Sequence, residues 1–200
     1  MQKWKLKILQ TAKKEIKTGK KLSYIHIPKT GGTFVRSILS KFPEINYIQH
    51  KQASENKNEI YFATIREPSE RFESLLNFVF WHKENKVLKK NYIPKRLWYT
   101  YDDTSIDLNK LISMMSDKEL TNLKSFQSLH YYSKNITFMI PIKEFVPVLK
   151  FLGFNLEEKK YEPCNVSEKK RGSFSEETKL RIQKLYKEDV EMWNFWTRLD

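Results

Sequence analysis

Pro28-Lys29-Thr30-Gly31-Gly32-Thr33 stands directly after the apolar run Leu22–Ile27 and opens an amphipathic stretch. A buried strand that leaves through a tight glycine turn, which itself becomes the first turn of a helix, belongs to the crossovers of a parallel sheet. The same geometry aims unbonded backbone N–H groups and the positive end of the helix dipole at one point, where an anion can sit. Lys29 adds a cation at the strand exit, and Thr30 and Thr33 add hydroxyl donors. A plain strand-to-helix turn that uses glycine only for its backbone freedom fits the same residues. The usual nucleotide-triphosphatase loop does not, because its lysine follows the glycines, whereas here it precedes them.

A second segment has the same form. Glu59–Ile65 reads as a strand and ends at Arg66-Glu67-Pro68-Ser69-Glu70-Arg71-Phe72-Glu73-Ser74. Pro68 suits the first turn of a helix, where its missing N–H would be unpaired anyway. Phe72, Leu75, Leu76, Val79 and Phe80 recur at helical spacing and mark the buried face, which sets Arg71 and Ser74, three apart, on another side. Arg66 at the strand's end and the Ser74 hydroxyl would form a second phosphate site. Pairing of Arg66 and Arg71 with Glu67, Glu70 or Glu73 on a solvated face is the alternative.

Together the two segments resemble the sulfotransferase superfamily, more closely its Golgi-carbohydrate and bacterial or viral branch than its cytosolic small-molecule branch. The family carries a Pro-Lys-Thr-Gly-Gly-Thr loop and a later Arg-x-Pro-x-x-Arg-x-x-Ser segment, and both stand here intact and in order. The resemblance covers Leu22 to about Phe80, with a weaker echo in the C-terminal third. It implies a three-layer P-loop-like α/β fold and 3′-phosphoadenosine 5′-phosphosulfate (PAPS) as sulfuryl donor, with no metal. By the same resemblance Lys29 is the cation on the bridging and leaving oxygens. Thr30, Gly31, Gly32 and Thr33 hold the 5′-phosphate, and Arg66 and Ser74 hold the 3′-phosphate. Asn165–Gly172 loosely resembles the basic loop that closes over the nucleotide, which adds Arg171.

Sulfuryl transfer also needs a base near the acceptor, with a pKa near neutrality. The chain has four histidines. Ile45–His50 reads as the next strand, with His50 at its carboxyl edge beside the cradle, the place where the carbohydrate branch usually has its histidine. His50 is therefore the expected base. His26, between two isoleucines, reads as a satisfied core histidine; His82 reads as a helix-end residue, and His130 as a wall of an acceptor cleft or a packed side chain. The expected acceptor is a hydroxylated molecule, a saccharide by branch resemblance. Two other functions share these residues: a non-catalytic basic module for nucleic acid or sulfated glycans, and a nucleotide kinase or hydrolase.

The chain has 200 residues, suiting a single domain over 1–200, with 37 Lys and Arg against 24 Asp and Glu and a formal net charge of +13. That surplus favours anionic partners without choosing among them. A single cysteine, Cys164, excludes an internal disulfide framework. Met1–Lys21 is basic but lacks an apolar core of signal-peptide length, and no stretch approaches the ~18 apolar residues of a membrane span. The expectation is a cytoplasmic enzyme of a bacterium or virus, or a chain trimmed of its anchor, that needs no nucleic acid. Elsewhere the pattern predicts an outer helix over Trp4–Lys17 and an excursion over Trp81–Asp103. Short helices begin at Asp107 and Asp117. A strand over Ile136–Ile140 leads into a helix ending at Gly153, and one long C-terminal helix is capped by Ser173 and Glu176.

Overall fold

A computed structural model describes residues 2–81, 94, 97, 107–123, 126–156 and 172–198. In chain order these form α1 (Lys3–Lys17), β1 (Lys21–His26), α2 (Gly32–Leu39), β2 (Ile45–Gln49), β3 (Glu59–Ile65) and α3 (Pro68–Trp81). Then come α4 (Leu108–Ser113), α5 (Asp117–Thr121), α6 (Leu129–Ser133), β4 (Phe138–Pro141), α7 (Phe145–Leu152), α8 (Glu176–Leu185) and α9 (Lys187–Thr197). The fold is α/β. Its four described strands are all parallel, in the order β2-β1-β3-β4.

Contacts divide the chain into two compact units, one formed from Met1–Arg66, Leu129–Val166 and Glu191–Asp200, the other from Glu67–Ser128 and Ser167–Val190. The first holds the sheet. Side chains alternate across a strand, so each strand here feeds two cores. Leu22, Tyr24, Ile60, Phe62, Phe138 and Ile140 share one face with Leu9 and Ala12 of α1, Val35 and Ile38 of α2, and Phe145 and Leu149 of α7. Ile25, Tyr61, Ala63, Ile65 and Met139 form the other face with Leu129 and Tyr132 of α6 and Trp193 and Trp196 of α9. The unbroken apolar runs of β1 and β3 follow from this burial on both sides. Lys5, on the inner side of α1, is paired at 2.5 Å with Glu144.

In the first strand order, β1 sends one crossover through α2 to β2, while β3 lies on its other flank. Strand order therefore reverses between β1 and β3, and open α/β sheets leave a crevice at the carboxyl ends of such strands.

The second unit is helical. Phe72, Leu75, Leu76 and Val79 of α3 pack with Leu111 and Ile112 of α4, Leu120 of α5 and Ile182 of α8. Pro68 opens α3 as expected, with the Glu67 carboxylate accepting from the Ser69 hydroxyl (2.5 Å) and the Glu70 N–H (2.8 Å). Asp107 caps α4 as expected. Ser116, not Asp117, caps α5, in a capping box with Glu119. The single long C-terminal helix is instead two, because α8 stops at Tyr186, whose hydroxyl donates to the Leu120 carbonyl (2.8 Å). Its cap is Ser175, two residues after the expected Ser173.

Arg71 differs most from its sequence assignment. It is fully buried, its guanidinium 3.6 Å from the Asp189 carboxylate and 4.2 Å from the centre of the Phe126 ring, and it donates to the Gln127 carbonyl (2.8 Å). Neither Glu67 nor Glu73 pairs with it; Glu73 accepts from the Phe174 N–H (2.7 Å). Arg71 thus belongs to the core of the helical unit. Asp189→Ala should lower the stability of the protein by about 3 kcal/mol or more, since it strands a buried charge. Combining Arg71→Met with Asp189→Leu should restore much of that loss. Urea denaturation of the three variants checks both.

Candidate anion-binding active site

The loop between β1 and α2 is held from below by hydroxyls. Thr30 is buried, and its hydroxyl donates to the Ile27 carbonyl at 2.8 Å. Having given its one hydrogen, it accepts from Thr64 of β3 (3.0 Å), which in turn accepts from Tyr24 of β1 (2.6 Å). Burial pushes the Tyr24 phenol well above its ordinary range, so it stays a donor. The relay Tyr24 to Thr64 to Thr30 to Ile27 ties the loop to both central strands. It also corrects one expectation: the Thr30 hydroxyl faces inward and is no donor to a ligand. Thr33, by contrast, is exposed.

Above this anchor the backbone is forced into unusual conformations. Lys29 has φ +67° and Gly31 has φ +96°. For lysine the left-handed region costs roughly 1–2 kcal/mol, and such strain collects at functional sites. The two glycines are needed for different reasons. A Cβ on Gly31 would stand 2.7 Å from Ile142 Cδ1, and one on Gly32 would stand 1.8 Å from Nε2 of His26. The N–H groups of Gly32, Thr33 and Phe34, in the first turn of α2, have no acceptor among the described residues.

Two cations, Lys29 and Arg66, lie close to one another at this edge of the sheet. Burial, with the neighbouring Arg66 guanidinium, lowers the Lys29 ammonium from 10.5 to about 8. Arg66 follows the last residue of β3 and is half-buried. The loop and Arg66 leave the carboxyl ends of β1 and β3, the two strands flanking the reversal of strand order.

His50 follows β2 as expected and continues the ladder by donating its N–H to the His26 carbonyl (3.2 Å). Its φ is +53°, its side chain is exposed, and partial burial lowers its pKa. Its ring lies 4.8 Å from that of His26. His26 is not the satisfied core histidine the sequence suggested. It is half-buried, its Nδ1 is buried with no hydrogen-bond partner among the described residues, and burial together with His50, Lys29 and Arg36 lowers it to about 4.

No protein-family model, curated protein or solved structure matches the chain. The site is therefore read from its own geometry.

Lys29, Thr30, Gly31, Gly32, Thr33, His50 and Arg66 all lie at the carboxyl edge of the sheet, in one unit. Ser74 is half-buried on α3 in the helical unit, and its place in the site belongs to the sequence resemblance alone. His130 is exposed on α6. Arg171, His82, Cys164 and nearly all of the Trp81–Asp103 excursion lie outside the described residues. Sequence reasoning took His26 for a packed core residue. The signal was the second glycine, which has no turn to make and instead yields its side-chain space to the histidine six residues earlier.

That contact is testable. Gly32→Ala should destabilise the protein by about 1–3 kcal/mol through overpacking, and the penalty should largely vanish in a His26→Ala background; thermal melts of the four-member cycle measure the coupling.

Lys29→Gly should raise stability while weakening anion binding, because it relieves the left-handed strain and removes a buried ammonium. The gap should narrow between pH 8 and 10.5. There the folded wild-type chain has shed a proton that the unfolded chain still holds, so wild-type stability rises with pH. Melts of both proteins across that range check the sign.

Proposed function

We propose that the chain is a P-loop-like sulfotransferase that moves a sulfuryl group from PAPS to an acceptor hydroxyl. One observation carries this reading: the first N–H groups of α2, which have no acceptor among the described residues, collect with Lys29 and Arg66 at the strand-order reversal of a parallel sheet, and His50 stands at the end of the adjoining strand. The residues suit a phosphosulfate. Left-handed Gly31 makes the tight turn that leads into the first N–H groups of α2, and Nδ1 of His26, buried with no hydrogen-bond partner among the described residues, leaves polar capacity beside it.

Bound there, PAPS would supply a sulfuryl group whose transfer leaves negative charge on a phosphate oxygen. The chain's part is positioning and charge stabilisation. Gly32, Thr33 and Phe34 direct their N–H groups at that charge without rearranging, because the Thr30 hydroxyl holds the loop. Lys29 adds a cation whose pKa is depressed by burial and by the Arg66 guanidinium. An anion would restore its ordinary basicity, so capture is favoured below about pH 8. Arg66 offers a planar fork to a second phosphate. His50, exposed and kept neutral near pH 7 by its lowered pKa, accepts the proton of the acceptor hydroxyl. A saccharide acceptor follows from the branch resemblance.

Calorimetric titration with 3′-phosphoadenosine 5′-phosphate, beside AMP and ATP–Mg²⁺, tests the reading. Preference for the 3′,5′-bisphosphate is expected, and Arg66→Ala should abolish that preference. Stronger binding of ATP–Mg²⁺ would replace this function with nucleotide phosphoryl chemistry. With an acceptor in hand, Lys29→Ala should lower kcat by orders of magnitude, and His50→Ala should lower kcat while leaving donor affinity unchanged.

A further inference from the structure

The solvent side of α1 carries a line of positive charge. At about 100° of rotation per residue, Lys3, Lys7, Lys14 and Lys17 fall within about 80° of the helix circumference and run over about 21 Å of its length. All four are exposed, while Lys5, Leu9 and Ala12 on the other side are buried. Glu15, the only acid on α1, accepts from Lys20 at 2.7 Å.

Apolar rings stand at one end of this stripe. Trp4 lies 4.4 Å from Phe195 and 5.3 Å from Trp196 between ring centres, and Phe195 and Trp196 lie 5.2 Å apart. Phe195 is 48% exposed, Trp4 is half-buried, and the exposed Arg198 follows them. An open cavity of about 430 Å³, lined by Trp4, Lys7, Ile8, Thr11 and Thr137, lies alongside. Lys5 locks this end of α1 in place, donating to the Glu144 carboxylate (2.5 Å) and the Trp196 carbonyl (3.2 Å). Glu144 follows β4, so the rings stand towards the edge of the sheet that carries the cradle. Glu191, exposed one turn before Phe195, is the carboxylate that opposes this arrangement.

We propose that this face seats the protein on an anionic lipid bilayer, with the lysine stripe over the headgroups and the Phe195 and Trp4 rings in the interfacial layer. Each half is weak alone. A lysine close to an anionic surface contributes about fivefold in affinity, and aromatic rings with a polar edge favour the headgroup layer. Stable seating takes two such signals together. A bilayer suits these residues better than a nucleic acid does. The stripe is made of lysines, point charges without the planar fork that reads phosphates and base edges. Headgroups that diffuse laterally can meet each of them without a fixed register. The rings meet at 88° and 33°, forming an apolar knob and not a row of parallel platforms for stacked bases. The inference is independent of the sulfuryl-transfer reading.

Sedimentation with vesicles tests it, using phosphatidylcholine alone against phosphatidylcholine with equimolar phosphatidylglycerol, at low and at high salt. The expected result is binding to the anionic vesicles alone, weakened by salt. Reversing two charges of the stripe, Lys7→Glu with Lys14→Glu, should lower the partition coefficient by about thirtyfold or more. Phe195→Ser should lower it severalfold and leave its salt dependence unchanged. Lys29→Ala should partition as the wild-type chain does, because the cradle takes no part. Far-UV circular dichroism checks the fold of each variant, and the salt series on the wild-type chain reads the electrostatic contribution without any substitution. No binding to anionic vesicles, equal binding to both kinds, or undiminished binding by the charge-reversed protein overturns the proposal. Loss of binding in Lys29→Ala alone would overturn it too, by putting the headgroup phosphate in the cradle. Tighter binding to single-stranded RNA than to the anionic vesicles, lost in the charge-reversed protein, would overturn it in favour of nucleic acid.

Discussion

The carboxyl edge of the sheet depends on the inward turn of one threonine. With the Thr30 hydroxyl bonded to the Ile27 carbonyl and accepting from Thr64, the loop cannot relax toward an ordinary strand exit. Lys29 and Gly31 are then held in left-handed conformations on either side of Thr30. Each link in the relay is a bond between groups that would be costly to leave alone in the interior. Strain at Lys29 persists because the buried relay beneath it fixes the path of the chain. The consequence is a set of N–H groups aimed before any ligand arrives, which is the condition for stabilising charge without reorganisation.

Positive charge is concentrated in this region. The Arg66 guanidinium helps to depress Lys29, and the His26 and His50 rings lie 4.8 Å apart. The helical unit treats its buried cation in the opposite way, giving Arg71 an acid, a carbonyl and an aromatic face. A buried guanidinium with partners stabilises a fold. Lys29 and His26, lowered by burial and by neighbouring cations, contrast with this architectural arginine of the second motif, and lowered pKa values of that kind mark candidate sites.

Local signals in the sequence were sufficient for much of this. An apolar run, a glycine pair and a helical stripe sit within twenty residues, so β1, the turn and α2 could be placed from the chain alone, and so could His50 at the end of β2. The Gly153 stop and the Asp107 cap were equally local. What escaped was set by partners remote in sequence. Arg71 meets Asp189 more than a hundred residues later, and helical spacing, which knows only its own turn, put it on a polar face. Thr30 looked like a ligand donor because Thr64 was invisible beside it. His26 looked like core because its neighbours in the chain are isoleucines, whereas its neighbours in space are Gly32 and His50.

The strand order has a bearing on how this chain can be dissected. β1, β2 and β3 are complete by Ile65, but the partner of β3's outer edge, Phe138–Pro141, arrives only after the whole Glu67–Ser128 stretch. A fragment ending near residue 66 would carry the loop, Arg66 and His50, yet would leave a bare row of backbone donors and acceptors along Phe62–Ile65, a template for pairing with another chain. This edge of the sheet is therefore contiguous in sequence but not self-sufficient. Minimal versions of it will stay monomeric only if β4 is brought along, by circular permutation or by bridging the gap left when the intervening helices are removed.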